Sequence, residues 1–359
     1  MPKNTEYIQE LEYSTYLPKR EDLERIDKTA QANTNTCIDL INGELTHTVI
    51  HWEDTLISKG KTIGKTYGKK VNNRCRIVHK NKYRRVVAVP DIHGDYEHLI
   101  SILRHAKIID EENNWIATDT ILIQTGDLLN RGNDTMKIYE TVLDLREQAA
   151  KKGGIFYNLI GNHEIFEVRG NHYFTSSGDF DEFGGMLEHE EAFGPDGKYG
   201  QFIRNVMNTT MIIDDTLFTH AGIRPDYLGG GIEEINKYIR ELLQSTPSPK
   251  ELGRMYKNNE IHPVLVDRYF DDYGPFWLRD FAKNPESEIC PQVEETLRRT
   301  NTKRMVIGHT PQSYGKITSR CSNKLIIIDI GVSRCIGGGY YGYLEILNDK
   351  QEVWARYFN

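Results

Sequence analysis

Five apolar, strand-like runs in this chain each end in a loop that carries glycine and a side chain able to ligate a metal. Val86-Val87-Ala88-Val89 leads to Asp91 and His93, and Ile121-Leu122-Ile123 leads to Asp127. A run over residues 154–160 leads to Asn162 and His163, Thr216-Leu217-Phe218-Thr219 to His220, and Met305-Val306-Ile307 to His309. A single strand-end Asp usually caps a helix, and a single His usually belongs to the surface or core. Five such ends require a fold that gathers them. Between the first three runs lie helical patterns. Leu99, Ile100, Ile102 and Leu103 recur at helical spacing behind Asp95 as N-cap, and Ile138, Val142 and Leu145 share a face over residues 134–150. The alternation predicts βαβ units and a mostly parallel sheet, whose ligands bind beyond the carboxyl ends of the strands.

Mixed Asp, Asn and His donors suit borderline divalent metals such as Mn²⁺, Fe or Zn²⁺ rather than an all-oxygen Ca²⁺ site. Two such cations roughly 3.5–4 Å apart can share a carboxylate and a hydroxide poised for in-line attack on phosphorus. The stretch Gly126-Asp127-Leu128-Leu129-Asn130-Arg131-Gly132 adds to a carboxylate an amide and a guanidinium, the last suited to a phosphate. The glycines allow sharp turns and close backbone approach.

The remainder of the chain sets bounds. A net charge of −7 over 359 residues gives no nucleic-acid footprint. No run approaches the roughly 18 apolar residues of a membrane span. Cys37, Cys75, Cys290, Cys321 and Cys335 lie far apart without a CxxC pair, so reduced thiols and a cytoplasmic location are expected. Residues 1–84 form a polar, weakly patterned extension with room for a helix over residues 21–40 and a loop over residues 60–70. Residues 85–359, which hold all five motifs, are expected to form the catalytic domain, and the irregular, glycine- and aromatic-containing residues 165–210 are expected to be a pocket-shaping insertion. Further strands are expected over residues 211–213, 216–219, 325–330, 341–347 and 351–357. A helix carrying Ile232, Ile235, Ile239 and Leu242 is expected as well.

In this order the five motifs resemble the calcineurin-like metallophosphoesterase superfamily, in its phosphoprotein phosphatase branch, over about residues 86–346. Three segments are similar to the Shewanella-like protein phosphatases: Gly274-Pro275-Phe276-Trp277-Leu278-Arg279, Lys303 through Gly308-His309-Thr310-Pro311, and Asp329-Ile330-Gly331-Val332-Ser333-Arg334. The resemblance implies an α/β sandwich of two mixed β-sheets flanked by helices, with a dinuclear metal site at the strand ends. It implies that Asp91, His93 and Asp127 bind one cation. Asp127 would bridge to a second, held by Asn162, His220 and His309, with manganese first in expectation and iron or zinc as alternatives. Arg131 would clamp phosphate oxygens and His163 would be the general acid. Arg279 and Arg334 are candidates for a second phosphate contact or for plain ion pairs.

Two residues depart from the pattern. Pro90 replaces the usual glycine before Asp91, which the last residue of a strand tolerates. Asn130 replaces an aspartate expected to orient and charge the acid His. An amide accepts a hydrogen bond without supplying charge, so the His163 pKa should fall. Aryl esters and diphosphates, with their better leaving groups, should then be favoured. The expected function is hydrolysis of phosphorylated protein or peptide, at Ser/Thr and, by this argument, Tyr, without nucleic acid or membrane partners. The alternatives are a nucleotide polyphosphate hydrolase of the diadenosine tetraphosphatase kind, and a non-catalytic scaffold.

Overall fold

The apolar runs become strands because their alternating and contiguous Val, Ile and Leu side chains have two faces to cover. In the computed structural model Ile121, Leu122 and Ile123 are all fully buried. Each contributes on the order of 1.5–3 kcal/mol by leaving water. The structure describes residues 83–348 and 351–358, and before them only four two-residue strands (Leu40–Ile41, Glu44–Leu45, Ile50–His51 and Arg76–Ile77). The helix expected over residues 21–40 and the loop over residues 60–70 lie outside the described residues.

Strands β1 (Arg85–Val89), β2 (Thr120–Gln124) and β3 (Ile155–Asn158) pair in parallel, with Val87 opposite Leu122 and Leu122 opposite Phe156. Helix α1 (Tyr96–His105) begins at Asp95, whose carboxylate accepts the His98 N–H. Helix α2 (Thr135–Lys151) buries Ile138, Val142 and Leu145, the face expected from spacing. Helix α3 (Asn162–Val168) starts directly at the third strand end.

The stretch expected to be irregular, residues 165–210, instead holds three short helices: α4 (Ser177–Phe183), α5 (Met186–Phe193) and α6 (Lys198–Asn205). They are short enough that apolar periodicity is weak, and each starts or stops at a Ser or Gly cap. Strands β4 (Thr210–Ile213) and β5 (Thr216–Thr219) form a hairpin, followed by helices α7 (Ile232–Ser245), α8 (Pro249–Lys257), α9 (Asp280–Lys283) and α10 (Glu286–Thr300). The last strands are β6 (Arg304–Ile307), β7 (Thr318–Arg320), β8 (Leu325–Ile327), β9 (Tyr341–Leu347) and β10 (Glu352–Phe358).

Two mixed five-stranded sheets result, ordered β10-β9-β1-β2-β3 and β7-β8-β6-β5-β4. In the first, β1, β2 and β3 run parallel out to one edge, with β9 and β10 antiparallel on the other side. In the second, β8, β6 and β5 run parallel between the antiparallel edges β7 and β4, so the expectation of a mostly parallel sheet holds for those three-strand runs alone. The sheets approach where Leu159, just past β3, bridges Asn208, just before β4. The parallel centres place the ends of β1, β2, β3, β5 and β6 in one cleft.

The cysteines require a correction. Cys290 on α10 and Cys321 after β7 form a disulfide with their Cα atoms 5.3 Å apart, whereas Cys335 is free and exposed. The expected fully reduced set does not hold, and with it goes the argument from cysteines to a reducing compartment. Cys37 and Cys75 lie outside the described residues. No helix of the described residues is long and apolar enough to cross a membrane.

Candidate metal centre

The five strand ends converge on the Asp127 carboxylate. Its Oδ2 lies 3.5 Å from His220 Nε2, 3.7 Å from His93 Nε2 and 4.0 Å from His163 Nε2. His220 Nε2 is also 3.0 Å from Asn162 Oδ1 and 3.1 Å from His309 Nδ1. Asp91 joins from β1, its two oxygens accepting the His309 N–H at 3.0 and 3.2 Å. Two groups of donors fall within metal-ligating reach: His93, Asp127 and His163, and Asp127, His220 and His309. Separations near 3–4 Å are those of donors sharing a cation at about 2.0–2.2 Å. The distal nitrogens are held by backbone, His93 Nδ1 facing Leu129 O and His220 Nδ1 facing Thr125 O. That arrangement fixes a ligand's ring and tautomer. Asp127 is shared by both groups, and His309 Nε2 is buried without a hydrogen-bond partner. The donor set therefore fits two divalent cations.

Local backbone makes the convergence possible. His93, Asp127, Asn130, Arg131 and His309 all have left-handed φ, between 48° and 70°. Non-glycine residues there cost on the order of 1–3 kcal/mol each and persist where surrounding structure over-determines them. Close packing does so. A Cβ on Gly161 would sit 2.1 Å from Asp127 Oδ1, and one on Gly308 would sit 2.3 Å from Asp91 Oδ1.

A residue that sequence reasoning passed over secures the Asp127 loop. Glu164 is fully buried and accepts the N–H groups of Asp127 and Leu128 at 2.9 Å each and of Gly161 at 2.6 Å. One carboxylate thereby ties the end of β2 to the start of α3. Asp329, also passed over as a site residue, is buried in the same field and accepts the Gly331 N–H at 3.0 Å.

Burial is the leading cause of every shift here. It raises Asp127 to about 8, Glu164 to about 7 and Asp329 to about 6, and it raises Asp91 well above its ordinary value, with Asp329 and Asp127 adding repulsion. It lowers His93 to about 3 and His220 to about 4, and holds His163 and His309 well below the usual imidazole range. The cluster on its own rejects charge of both signs. Neutral imidazole is the ligating form, and a divalent cation would displace the carboxyl protons.

His163 sits at the rim of this cluster. Its Nδ1 meets Asn130 Oδ1 at 2.9 Å, as the sequence predicts for an orienting side chain. Asn130 Nδ2 in turn donates to Glu167 Oε1 at 2.7 Å, and Thr175 Oγ1 donates to the same oxygen at 3.0 Å. An acidic side chain thus stands one residue behind the neutral amide. The partly buried rings of Phe166 and Phe174 flank His163, with centroids 5.5 and 4.9 Å away, and Trp277 packs on Phe166. The Arg131 guanidinium lies 4.1 Å over the Phe174 ring, a cation–π contact that aims it along the rim. Arg279 donates to His309 O at 3.1 Å and to Thr310 Oγ1 at 3.3 Å, so the structure brings it to the cluster. Arg334 is engaged elsewhere. It forms a fork onto Asp95 at 2.8 and 3.0 Å and pairs with Glu97 at 2.9 Å.

The calcineurin-like phosphoesterase model matches residues 84–316. An uncharacterized protein of Schizosaccharomyces pombe is 31% identical over 274 residues, covering 74% of this chain and 79% of that one. Shewanella-like protein phosphatase 1 of Plasmodium berghei is 29% identical, covering 74% of this chain and 72% of its own. A solved cold-active protein tyrosine phosphatase superposes with a TM-score of 0.62 at 26% identity, covering 74% of this chain and 75% of that one. With the family model spanning most of the described residues and every strand-end donor gathered in one cleft, this chain belongs to the calcineurin-like phosphoesterase family.

Proposed function

We propose that this protein is a phosphoprotein phosphatase that hydrolyses phosphomonoesters, with aryl esters such as phosphotyrosine favoured over alkyl ones. The observation that carries the reading is the convergence of His93, His163, His220, His309 and Asn162 around the shared carboxylate of Asp127. Asp91, His93 and Asp127 would hold one divalent cation, and Asp127, Asn162, His220 and His309 the other, manganese being the first candidate. When bound, the pair supplies a nucleophile from water at neutral pH and neutralises charge on the phosphoryl oxygens.

The protein's own groups supply the remainder. Arg131 orients the phosphate as a two-pronged donor, and Arg279, beside His309, adds positive charge on the far side. His163 Nε2 holds the proton delivered to the departing oxygen, while Asn130 accepts from Nδ1–H and fixes the ring. That proton is held weakly, since burial and the nearby cationic groups depress the imidazole. A phenolate needs less help than an alkoxide, which supports the aryl preference. The Phe166, Phe174 and Trp277 rings beside the acid suit an aryl group by stacking. The similarity to a solved cold-active protein tyrosine phosphatase supports this reading.

The test is a substrate panel on manganese-loaded protein: phosphotyrosine, phosphoserine and phosphothreonine peptides against dinucleoside polyphosphates and capped RNA. Phosphotyrosine peptide is expected to have the highest kcat/KM. A clear preference for pyrophosphate bonds would overturn the assignment in favour of a nucleotide hydrolase.

A further inference from the structure

Outside the Asp127 cluster, the described residues hold one more group of donors within metal-ligating reach of one another: Glu167, His172 and His189. They come from different pieces of chain. Glu167 is on α3, His172 on the loop that follows it, and His189 on α5. His172 Nδ1 lies 3.2 Å and His189 Nδ1 3.6 Å from the same oxygen, Glu167 Oε2.

His189 is the telling member. It is fully buried, yet neither of its ring nitrogens has a hydrogen-bond partner. Glu167 Oε2 is likewise buried, with the His172 imidazole at 3.2 Å as its near neighbour, while its other oxygen is occupied by Asn130 and Thr175. An unpartnered imidazole in an aromatic interior (Phe180, Phe183 and Phe193 surround it) is costly unless something engages its nitrogen. The far nitrogen of His172 is supported by a carboxylate, whereas that of His189 has one nearby but beyond hydrogen-bond reach. His172 Nε2 is 3.1 Å from Glu190 Oε1, and His189 Nε2 is 4.0 Å from Asp179 Oδ2. A carboxylate behind a ligating histidine, as Glu190 stands behind His172, is a usual outer support of a zinc site, and two His with one Glu is a zinc ligand set.

We propose that Glu167, His172 and His189 bind a divalent cation, zinc by donor type, at a site separate from the Asp127 cluster. It would pin the helical insertion α4–α5 to α3. Through Glu167 and Asn130 it would also stand two residues behind His163, so its occupancy would bear on how firmly Asn130 is held. The binding site itself does not depend on the proposed phosphatase activity.

The test is metal content by mass spectrometry after equilibration of the full chain at buffered free zinc and gel filtration. Wild type is compared with H189Q and H172Q, and folding is checked by circular dichroism. The expected result is one equivalent less zinc in each variant than in wild type. His172 lies at the edge of the site, so H172Q keeps the test decisive if H189Q does not fold. As a control, D127N should lose zinc from the other cluster and still show the same one-equivalent drop when H172Q is added. Wild-type zinc content in either folded variant overturns the proposal.

Discussion

Replacing Asn130 by aspartate restores the residue expected by family pattern, yet the structure predicts harm rather than improvement. Asn130 Nδ2 is 2.7 Å from Glu167 Oε1, with both groups buried. In N130D that donor becomes an oxygen facing an oxygen. At 2.7 Å and an effective dielectric near 20, two full charges repel by about 6 kcal/mol. The pair escapes by sharing a proton, which for an ordinary carboxyl at pH 7.5 costs about 4–5 kcal/mol. The resulting O–H···O⁻ hydrogen bond offsets the amide N–H···O bond lost with Asn130, each about 1.5–3 kcal/mol, leaving N130D less stable than wild type by about the 4–5 kcal/mol of that protonation. The sign of the pH dependence follows. In the folded variant one carboxyl pKa is raised above its unfolded value, so the deficit is absent at low pH and grows as pH rises, by about 1.4 kcal/mol per unit until full. The assay is urea unfolding of chelated protein at pH 5.5 and 8 for wild type, N130D, E167Q and the double variant. E167Q should rescue N130D by at least about 2 kcal/mol at pH 8, because an amide again faces a carboxylate and no proton need be shared. Equal stability of N130D and wild type at pH 8, or no rescue, would refute the argument that Glu167 supplies the displaced charge.

Two further outcomes are expected. H163N should lower turnover of phosphoserine peptides by roughly 10²–10⁴-fold with metal content retained, and lower that of aryl phosphates less; unaltered rates by stopped assay would remove His163 from the mechanism. In metal-free protein Asp127 is raised to about 8 by burial, so its contribution to stability is present at low pH and lost as pH rises toward that value. Added cation displaces those protons, and the gap in Tm between metal-loaded and chelated protein should be wider at pH 8 than at pH 5.5. A narrower gap at pH 8 would contradict it.

Much of the centre was legible because its residues obey a local rule. Each sits in a glycine-bearing loop at the end of an apolar run, so Asp91, His93, Asp127, Asn162, His163, His220 and His309 could be read one strand at a time. Glu164 and Glu167 could not, because their roles are tertiary. Glu164 does show a faint signal, standing three residues after Gly161 where a helix-capping carboxylate belongs. Glu167 gives none, since a helical Glu is ordinarily solvated and only the fold sets it against Asn130. The Asn130 argument was accordingly half complete: the amide is there, and the charge it lacks is one contact further on. Helix α10 was missed although Ile289, Val293 and Leu297 recur at four-residue steps, because polar residues and Pro291 dilute the pattern. The Cys290–Cys321 pairing joins residues 31 apart and leaves no mark in local spacing.

The central claim, that the Asp127 cluster is a metal-dependent phosphatase centre, is tested most directly by phosphate release from a phosphotyrosine peptide. Chelated wild type, the same protein with manganese restored, and manganese-treated D127N are compared, all verified as folded. The account predicts no turnover without metal, turnover on restoring manganese, and none in D127N. A well-folded, manganese-loaded wild type that releases no phosphate, or a D127N variant as active as wild type, would contradict it.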